Sequence, residues 1–365
     1  MCSVADLPLS VIIPVYNGEV TIRQCLERVY ACTFRDFEVI VIDDHSTDGT
    51  SAIVRSFPCQ LICCAENLGQ GYARNLGAAS ASGRILYFLD ADILVKSDTF
   101  SQAMDALRCH PECSAMFGSY ERNTPGDNFA SVYKNLLHHY THQTSKEEAA
   151  TFCGGVGVIR RDAFFSVGGF DPKHRFMEDV ELGIRLHRAG HRIRLHKELQ
   201  VTHLKHYTFA GLIRSDVIGR AIPWTRIMLD SRVIRNDLNT RAHNVASVPV
   251  SFLLLAALAI PSLWLPLGLP AAAVFLALNR GFLGFTWRER GFIFLGGAIL
   301  MCWFGYLYSG VGASIGWFGY VLGSFRKEVP AKPQLSAPDD TVGVVENLNE
   351  ARLQTLLTPP TSAPR

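Results

Sequence analysis

The sequence carries almost no charge imbalance: 35 Lys and Arg stand against 33 Asp and Glu, a formal net charge of +2. The strong basic field that nucleic-acid binding relies on is missing, so nucleic acid is not an expected partner. Paired cysteines at metal-binding spacing are missing too. The ten cysteines are scattered, and the nearest neighbours, Cys63 with Cys64 and Cys109 with Cys113, do not make two separated pairs of zinc-ligand type. They read as reduced thiols in a cytosolic compartment. The opening stretch, Met1 to Pro8, has neither a basic start nor an apolar run long enough for a secretory signal, so the N-terminal domain is expected to stay in the cytosol. The glycine spacing of a dinucleotide-binding turn is also lacking, because Asn67-Leu68-Gly69-Gln70-Gly71 follows a third strand rather than a first and has the wrong intervals.

What is present is length and apolar content. With 365 residues and 48% hydrophobic composition, the chain exceeds the ~250 residues at which a single core stops growing, so a second module is expected. Leu9 to Val15 (LSVIIPV) is a continuous β-branched run closed by Tyr16-Asn17-Gly18, the pattern of a strand buried on both faces. Helical spacing follows over Val20 to Ala31, and a second buried strand, Phe37 to Ile42, runs into Asp43-Asp44-His45-Ser46. The alternation continues with a helix over Thr50 to Phe57, a strand over Cys59 to Cys64, a helix over Gly71 to Ser80 and a strand over Ile85 to Leu89. It predicts a doubly wound α/β sheet with ligands at the carboxyl ends of its strands. Glu121 to Ala150 reads as a loop-and-helix excursion, and Glu178 to Ala189 as a helix that stops at Gly190.

The positive mean hydropathy, +0.14, comes mainly from Val245 to Phe325. A bilayer crossing takes about 20 apolar residues. Val245 to Leu278 has room for two short spans with a turn between Pro261 and Pro270, which would return Arg280, Arg288 and Arg290 to the cytosol. Gly291 to Phe325 is either one overlong span or a second hairpin, and the hairpin is preferred because it returns Arg326 and Lys327 to the same side. Between Thr208 and Ile234, apolar residues mix with Arg214, Arg220, Arg226, Arg232 and the adjoining Arg235, which suits a basic helix on an anionic membrane surface; an ordinary amphipathic helix packed on the preceding domain is the competing reading.

The chemistry sits at strand ends. Asp43-Asp44 closes the second strand and Asp90-Ala91-Asp92 the fourth, so two strands taken to be adjacent deliver carboxylates to one rim. Such a set is placed to hold a hard cation, Mg²⁺ or Mn²⁺, against a diphosphate. Taken singly, each acid is equally well explained as a turn or helix cap.

The ordered series SVIIPVYNGE, VIDDHSTDGT, NLGQGYARNLGAA, YFLDADI, GGFD and MEDVELGIRLHRAG resembles a family-2 glycosyltransferase over residues 9 to 205. The resemblance implies a GT-A fold, a nucleoside-diphosphate sugar donor, a divalent metal and inversion at the anomeric carbon. It implies donor contacts from Pro14, Tyr16, Glu19, Asp44, Gly71, Asp90, Ala91 and Gly155. Asp92 would bind the metal, joined by His203, a late histidine after the strand LQVTH. Glu178-Asp179 corresponds to the ED pair, with Asp179 as general base toward the acceptor hydroxyl and Glu178 beside it. Arg74 and Asn75 either border the donor or lie on a helix surface. UDP is favoured over GDP by family frequency alone.

Processive polysaccharide synthases of this broad family carry QxxRW after the ED helix, where this chain has Pro223-Trp224-Thr225-Arg226. That departure favours transfer of one sugar to a lipid-linked or membrane-associated acceptor. The alternatives are a non-catalytic membrane-bound nucleotide-sugar binder and a polysaccharide-assembly enzyme with a soluble glycan acceptor. The layout expected is a GT-A domain over 1–207, an interfacial helix over 208–240, two to four transmembrane helices over 241–327 and a disordered tail over 328–365. The protein would be a multi-pass protein of the inner or plasma membrane.

Overall fold

A computed structural model describes residues 9–232 and 238–323. The expected tail over 328–365 lies outside the described residues. In chain order the elements are β1 (Leu9–Val15), α1 (Ile22–Tyr30), β2 (Phe37–Asp43), α2 (Thr50–Val54), β3 (Gln60–Cys63), α3 (Gln70–Ser80), β4 (Ile85–Leu89), β5 (Ile93–Leu94), α4 (Thr99–Cys109), β6 (Cys113–Tyr120), α5 (Phe129–Thr144), β7 (Glu148–Ala149), β8 (Val156–Arg160), α6 (Arg161–Ser166), α7 (Glu178–Arg188) and β9 (Arg192–His203). There follow α8 (Phe209–Asp216), a π-helical turn over Val217–Ala221, α9 (Ile222–Ser231), α10 (Ala242–Ala259) and α11 (Leu269–Val321). The chain divides into two compact units, one of residues 9–121 and 146–205, the other of residues 122–145 and 206–323.

The first unit is a nine-stranded mixed sheet in the order β3-β2-β1-β4-β8-β6-β9-β5, with β7 added to β9. Its N-terminal half is parallel: β1 pairs β2 on one side and β4 on the other, and β2 pairs β3. All seven residues of β1 are buried, as expected of a central strand covered on both faces. The register sets Val15 beside Asp43 and carries Asp44 to the same end, where Leu89 also delivers Asp90. The two acid-bearing strands are therefore not neighbours, contrary to the sequence expectation. They flank β1 on opposite sides, and parallel pairing through it still brings both carboxyl ends to one rim.

Helix α3 packs on β1 and β2 with an approach that only glycine permits: a Cβ on Gly77 would lie 2.4 Å from Ile12 Cγ2 and 2.6 Å from Ile42 Cδ1. Both isoleucines are fully buried in the sheet and have no room to yield. Gly77→Ala is expected to destabilise the protein by about 1–3 kcal/mol through overpacking, read as a lower urea midpoint; an unchanged midpoint contradicts this packing.

The second unit is helical, and two of its segments, Ala242–Ala259 and Pro261–Val321, are long and apolar enough to cross a membrane by length and composition. The expected break near Pro261 to Pro270 is present: Ile260 leaves the helix at φ −125°, and a 3₁₀ turn and a π turn precede α11. The preferred second hairpin over Gly291 to Phe325 is not. Gly291 alone is non-helical inside α11 (φ 79°, ψ −173°), and the helix then continues unbroken to Val321. The glycines in this stretch (Gly305, Gly310, Gly312, Gly316, Gly319) lie within the helix. They serve close packing, as where a Cβ on Gly310 would meet Phe252 at 2.7 Å and one on Gly312 would meet Ala221 at 2.8 Å. The single basic helix expected between Thr208 and Ile234 is α8, the π turn and α9 in succession over its described part.

Candidate functional site

At the carboxyl rim of the sheet, backbone amides and carboxylates fasten the loops to one another. Asp44 accepts hydrogen bonds from the N–H groups of Leu68 and Gly69, both at 2.8 Å, so it fixes the loop that leads into α3. Burial raises its pKa above the ordinary aspartate value, while those two amides and the Arg175 cation work the other way. Asn67 donates to the Asp44 carbonyl and accepts from Arg175, closing the same loop. In the first loop the Glu19 carboxylate accepts from Gly49 N–H at 2.7 Å, and Asp48 accepts from Glu19 N–H at 3.2 Å. Tyr16 is 52% exposed on this rim, an aromatic face open to a ligand. Pro14, in contrast, is buried within β1 opposite Ile42, so its place is in the sheet and not on the open rim.

The centre of the site is Arg74, which sequence reasoning left between a donor neighbour and a surface position. It is 2% exposed. Its guanidinium fork spans two carboxylates, with Nη2 2.6 Å from Asp90 Oδ1 and Nη1 2.5 Å from Glu178 Oε1. A planar fork with fixed donor directions suits this double engagement in a way that a lysine ammonium does not. The Phe170 ring lies under the guanidinium carbon at 5.4 Å, and Asn75 clasps the Phe170 backbone, donating to its carbonyl and accepting from its N–H. Four of the sequence motifs, NLGQGYARNLGAA, YFLDADI, GGFD and MEDVELGIRLHRAG, thus meet around one cation. The neighbouring glycines make the approach possible: a Cβ on Gly154 would fall 2.9 Å from the Arg74 guanidinium carbon, and one on Gly155 only 2.6 Å from Asp90 Oδ2. Gly71 completes the ring, with its Cβ position 3.3 Å from Glu178 Cγ.

The structure separates Glu178 from Asp179. Glu178 is 1% exposed and held by Arg74; burial lifts it to about 7 despite that cation, with the Asp179 charge adding to the rise. Asp179 is half-buried, and its Oδ2 accepts from Gly154 N–H at 3.1 Å. Burial raises it above the ordinary aspartate value, Arg74 and the amides of Gly154 and Val180 oppose the rise, and Asp90 reinforces it. One acid is sealed against the arginine and the other, half-buried, is held beside it by the Gly154 amide.

Asp92 and His203 come together through strand pairing. Antiparallel β5 sets Ile93 opposite His203, and Leu204 N–H donates to the Asp92 carbonyl at 2.8 Å. His203 Nε2 then stands 3.4 Å from Asp92 Oδ2, with the Tyr120 ring stacked on the imidazole at 5.0 Å. Burial would raise Asp92, but His203 and the nearby Lys205 outweigh it and hold the carboxyl below its ordinary value, favouring the anion. Tyr120 and Lys205 escaped the sequence reading, since neither belongs to a motif and both depend on where β6 and the end of β9 meet. Ala91, between the two acids, is half-buried.

With this geometry in place, comparison with known proteins is informative. A model of Glycosyl transferase family 2 matches residues 10–168, and one described as the N-terminal domain of galactosyltransferase matches residues 135–208. Residues 10–168 thus carry a glycosyltransferase family 2 domain. Among its relatives, an uncharacterized glycosyltransferase of Haemophilus influenzae is 26% identical over 183 residues, 49% of this chain and 61% of that protein. Glycosyltransferase AglE of Haloferax volcanii is 42% identical over 91 residues, 23% of this chain and 30% of that one. The chain thus spans less than two thirds of the length of these relatives. A solved structure of the mannosyltransferase PcManGT from Pyrobaculum calidifontis, in complex with GDP-Man and Mn²⁺, aligns at a TM-score of 0.56 and 22% identity, covering 81% of this chain and 87% of that one. The chain accordingly has the GT-A fold, followed by apolar C-terminal helices.

Proposed function

We propose that the chain is a membrane-anchored inverting glycosyltransferase that moves one sugar from a nucleoside-diphosphate sugar, UDP-linked by preference, to a lipid-linked acceptor. The observation that carries the reading is the meeting of Asp90, Glu178 and Asp179 around Arg74, with Asp92 and His203 paired on the same rim. In this reading Tyr16, Glu19 and Asp44 line the nucleoside end of the donor, and Gly71, Asp90, Ala91 and Gly155 its sugar-diphosphate end. The Asp179 carboxylate takes the proton of the acceptor hydroxyl as that oxygen bonds to the anomeric carbon from the face opposite the diphosphate. The anomeric carbon–oxygen bond to the diphosphate breaks with its electron pair, and configuration inverts.

The residues present fit a divalent cation. Asp92 supplies a carboxylate oxygen kept anionic, and His203 supplies an imidazole nitrogen, a mixed set that favours Mn²⁺ over the strictly oxygen-seeking Mg²⁺. Among the described residues no group of three or more metal-ligating side chains closes on one point, and Asp92 and His203 are the residues that would hold the cation. When bound, the cation neutralises charge on the departing diphosphate. The mannosyltransferase solved with GDP-Man and Mn²⁺ is consistent with this assignment.

His203→Ala is expected to raise the Mn²⁺ concentration for half-maximal rate by about 10–100-fold, the range seen when metal sites lose a supporting group, with nucleotide affinity in metal-free buffer unchanged; an unaltered Mn²⁺ titration removes His203 from the site. The reading as a whole is tested by giving the purified full-length chain labelled UDP- and GDP-sugars with a membrane lipid extract. Label in the organic phase is expected, and label only in water-soluble glycan overturns the lipid acceptor.

The unit of residues 122–145 and 206–323 is the proposed anchor. Its α10 and α11 expose large apolar side chains, among them Leu255 at 44% and Ile293 at 94%, as a bilayer-facing surface would.

A further inference from the structure

Two neighbouring strands leave the sheet at the nucleoside end of the rim, and both do so through left-handed backbone that few residues other than glycine adopt. Asn17, two residues past the end of β1, has φ 50°, and His45, two residues past the end of β2, has φ 71°. The pairing of Val15 with Asp43 sets these exits side by side, and Asp44 N–H donates to the Val15 carbonyl at 2.8 Å.

Asn17 has a local reason for its conformation. Its side-chain oxygen accepts from Thr47 N–H at 2.9 Å and from the Thr47 hydroxyl at 3.3 Å, while its own N–H donates to Ser46 Oγ at 2.9 Å. It thereby clasps the loop that carries His45. The His45 side chain has no such reason: it is exposed and makes no hydrogen bond or ion pair among the described residues. Asp44, just before it, is by contrast 3% exposed and committed to the amides of Leu68 and Gly69. The loop is therefore held in an uncommon conformation around a ring that contributes nothing to the fold. Strained backbone of this kind persists where the surroundings fix it, and it gathers at ligand clamps.

We propose that His45 recognises the donor, its imidazole stacking on the base of the nucleoside diphosphate while the exposed Tyr16 ring supplies the second aromatic surface of the slot. The inference rests on the reading of this rim as the nucleoside end of a donor site and adds to that site a residue the reading does not include. A nucleobase is flat, with weakly polar faces and polar edges, so rings at two adjacent strand exits suit it; a phosphate group has no such face.

The test titrates UDP, GDP and inorganic diphosphate, each with Mn²⁺, into the full-length chain in detergent. The variants are His45→Asn and His45→Gly. Both replacements tolerate the left-handed backbone and lack a ring, so the urea midpoint is expected to hold or rise. Affinity for whichever nucleotide the parent binds more tightly is expected to fall about tenfold in both, within the range for losing one base–aromatic stack. Affinity for inorganic diphosphate is expected to stay the same. Folded variants with the parent's nucleotide affinity overturn the proposal. So does a loss that inorganic diphosphate shares in proportion, since the loop and not the base contact would then be at fault. The two readings fail separately. A parent chain that binds neither nucleotide defeats the donor reading and this inference with it, whereas variants that bind nucleotide and transfer sugar as the parent does remove His45 alone.

Discussion

Asp179→Asn is expected to lower kcat by about 10²–10⁴-fold, the usual contribution of a positioned general base, while donor affinity stays within about twofold. The amide keeps the shape of the carboxylate, and its oxygen still accepts from Gly154 N–H, so the loop carrying Gly154 and Gly155 stays in place. What disappears is the capacity to take a proton. Isothermal titration with UDP or GDP reads the binding, and single-turnover transfer reads the chemistry; transfer at the parent rate would remove Asp179 from the role. The same assignment fixes the sign of the pH dependence. A base works as its anion, and burial with the Asp90 charge raises Asp179 above the ordinary aspartate value. The acid limb of kcat is therefore expected above pH 3.8, with rate lost as pH falls through the raised value. Glu178→Gln is a useful contrast. Glu178 is sealed against Arg74, so its replacement acts on stability first and on kcat only through the position of its neighbours.

The parts of the site that could be read from the sequence are those fixed by backbone topology. A buried β-branched run followed by acids predicts a strand end and a rim, and Asp44, Asp90 and Asp92 stand where that logic puts them. The helix beginning at Glu178 was legible because its first turn is acidic and its apolar residues keep helical spacing. What could not be read was which strand lies between which. The insertion of β1 between β2 and β4 is a pairing choice that no local pattern encodes. Arg74 was ambiguous for a related reason: an arginine in a helix is normally solvated, and only the arrival of Asp90 and Glu178 from 16 and 104 residues away makes burial tolerable. The single helix after Gly291 was the less favoured of two readings because charge at both ends of a long apolar stretch suits a hairpin as well as one span.

Arg74→Met tests the hub itself and is expected to destabilise the protein by about 3–5 kcal/mol, the range for removing one partner of a buried ion pair. Methionine fills much of the same volume and can lie on Phe170, so lost packing is the smaller part. The larger part is electrostatic: Asp90 and Glu178 lose the cation between them, and Asp179 loses the charge that restrains its rise. The pH dependence separates these contributions. Without Arg74, Glu178 and Asp179 bind protons more tightly in the folded state than in the unfolded one, and such groups add stability that is present at low pH and lost as pH rises through their folded values. Glu178 already stands near 7 with the arginine in place and moves higher without it. The gap in unfolding free energy between the variant and the parent is therefore expected to be widest above pH 7 and to narrow as pH falls toward 5, measured by urea unfolding at each pH. Arg74→Lys keeps the charge and gives up the fork, so it should fall between the two and retain the narrower pH dependence. A gap that stays constant across this range would mean that Arg74 acts by filling space, and the electrostatic account of the site would fail with it.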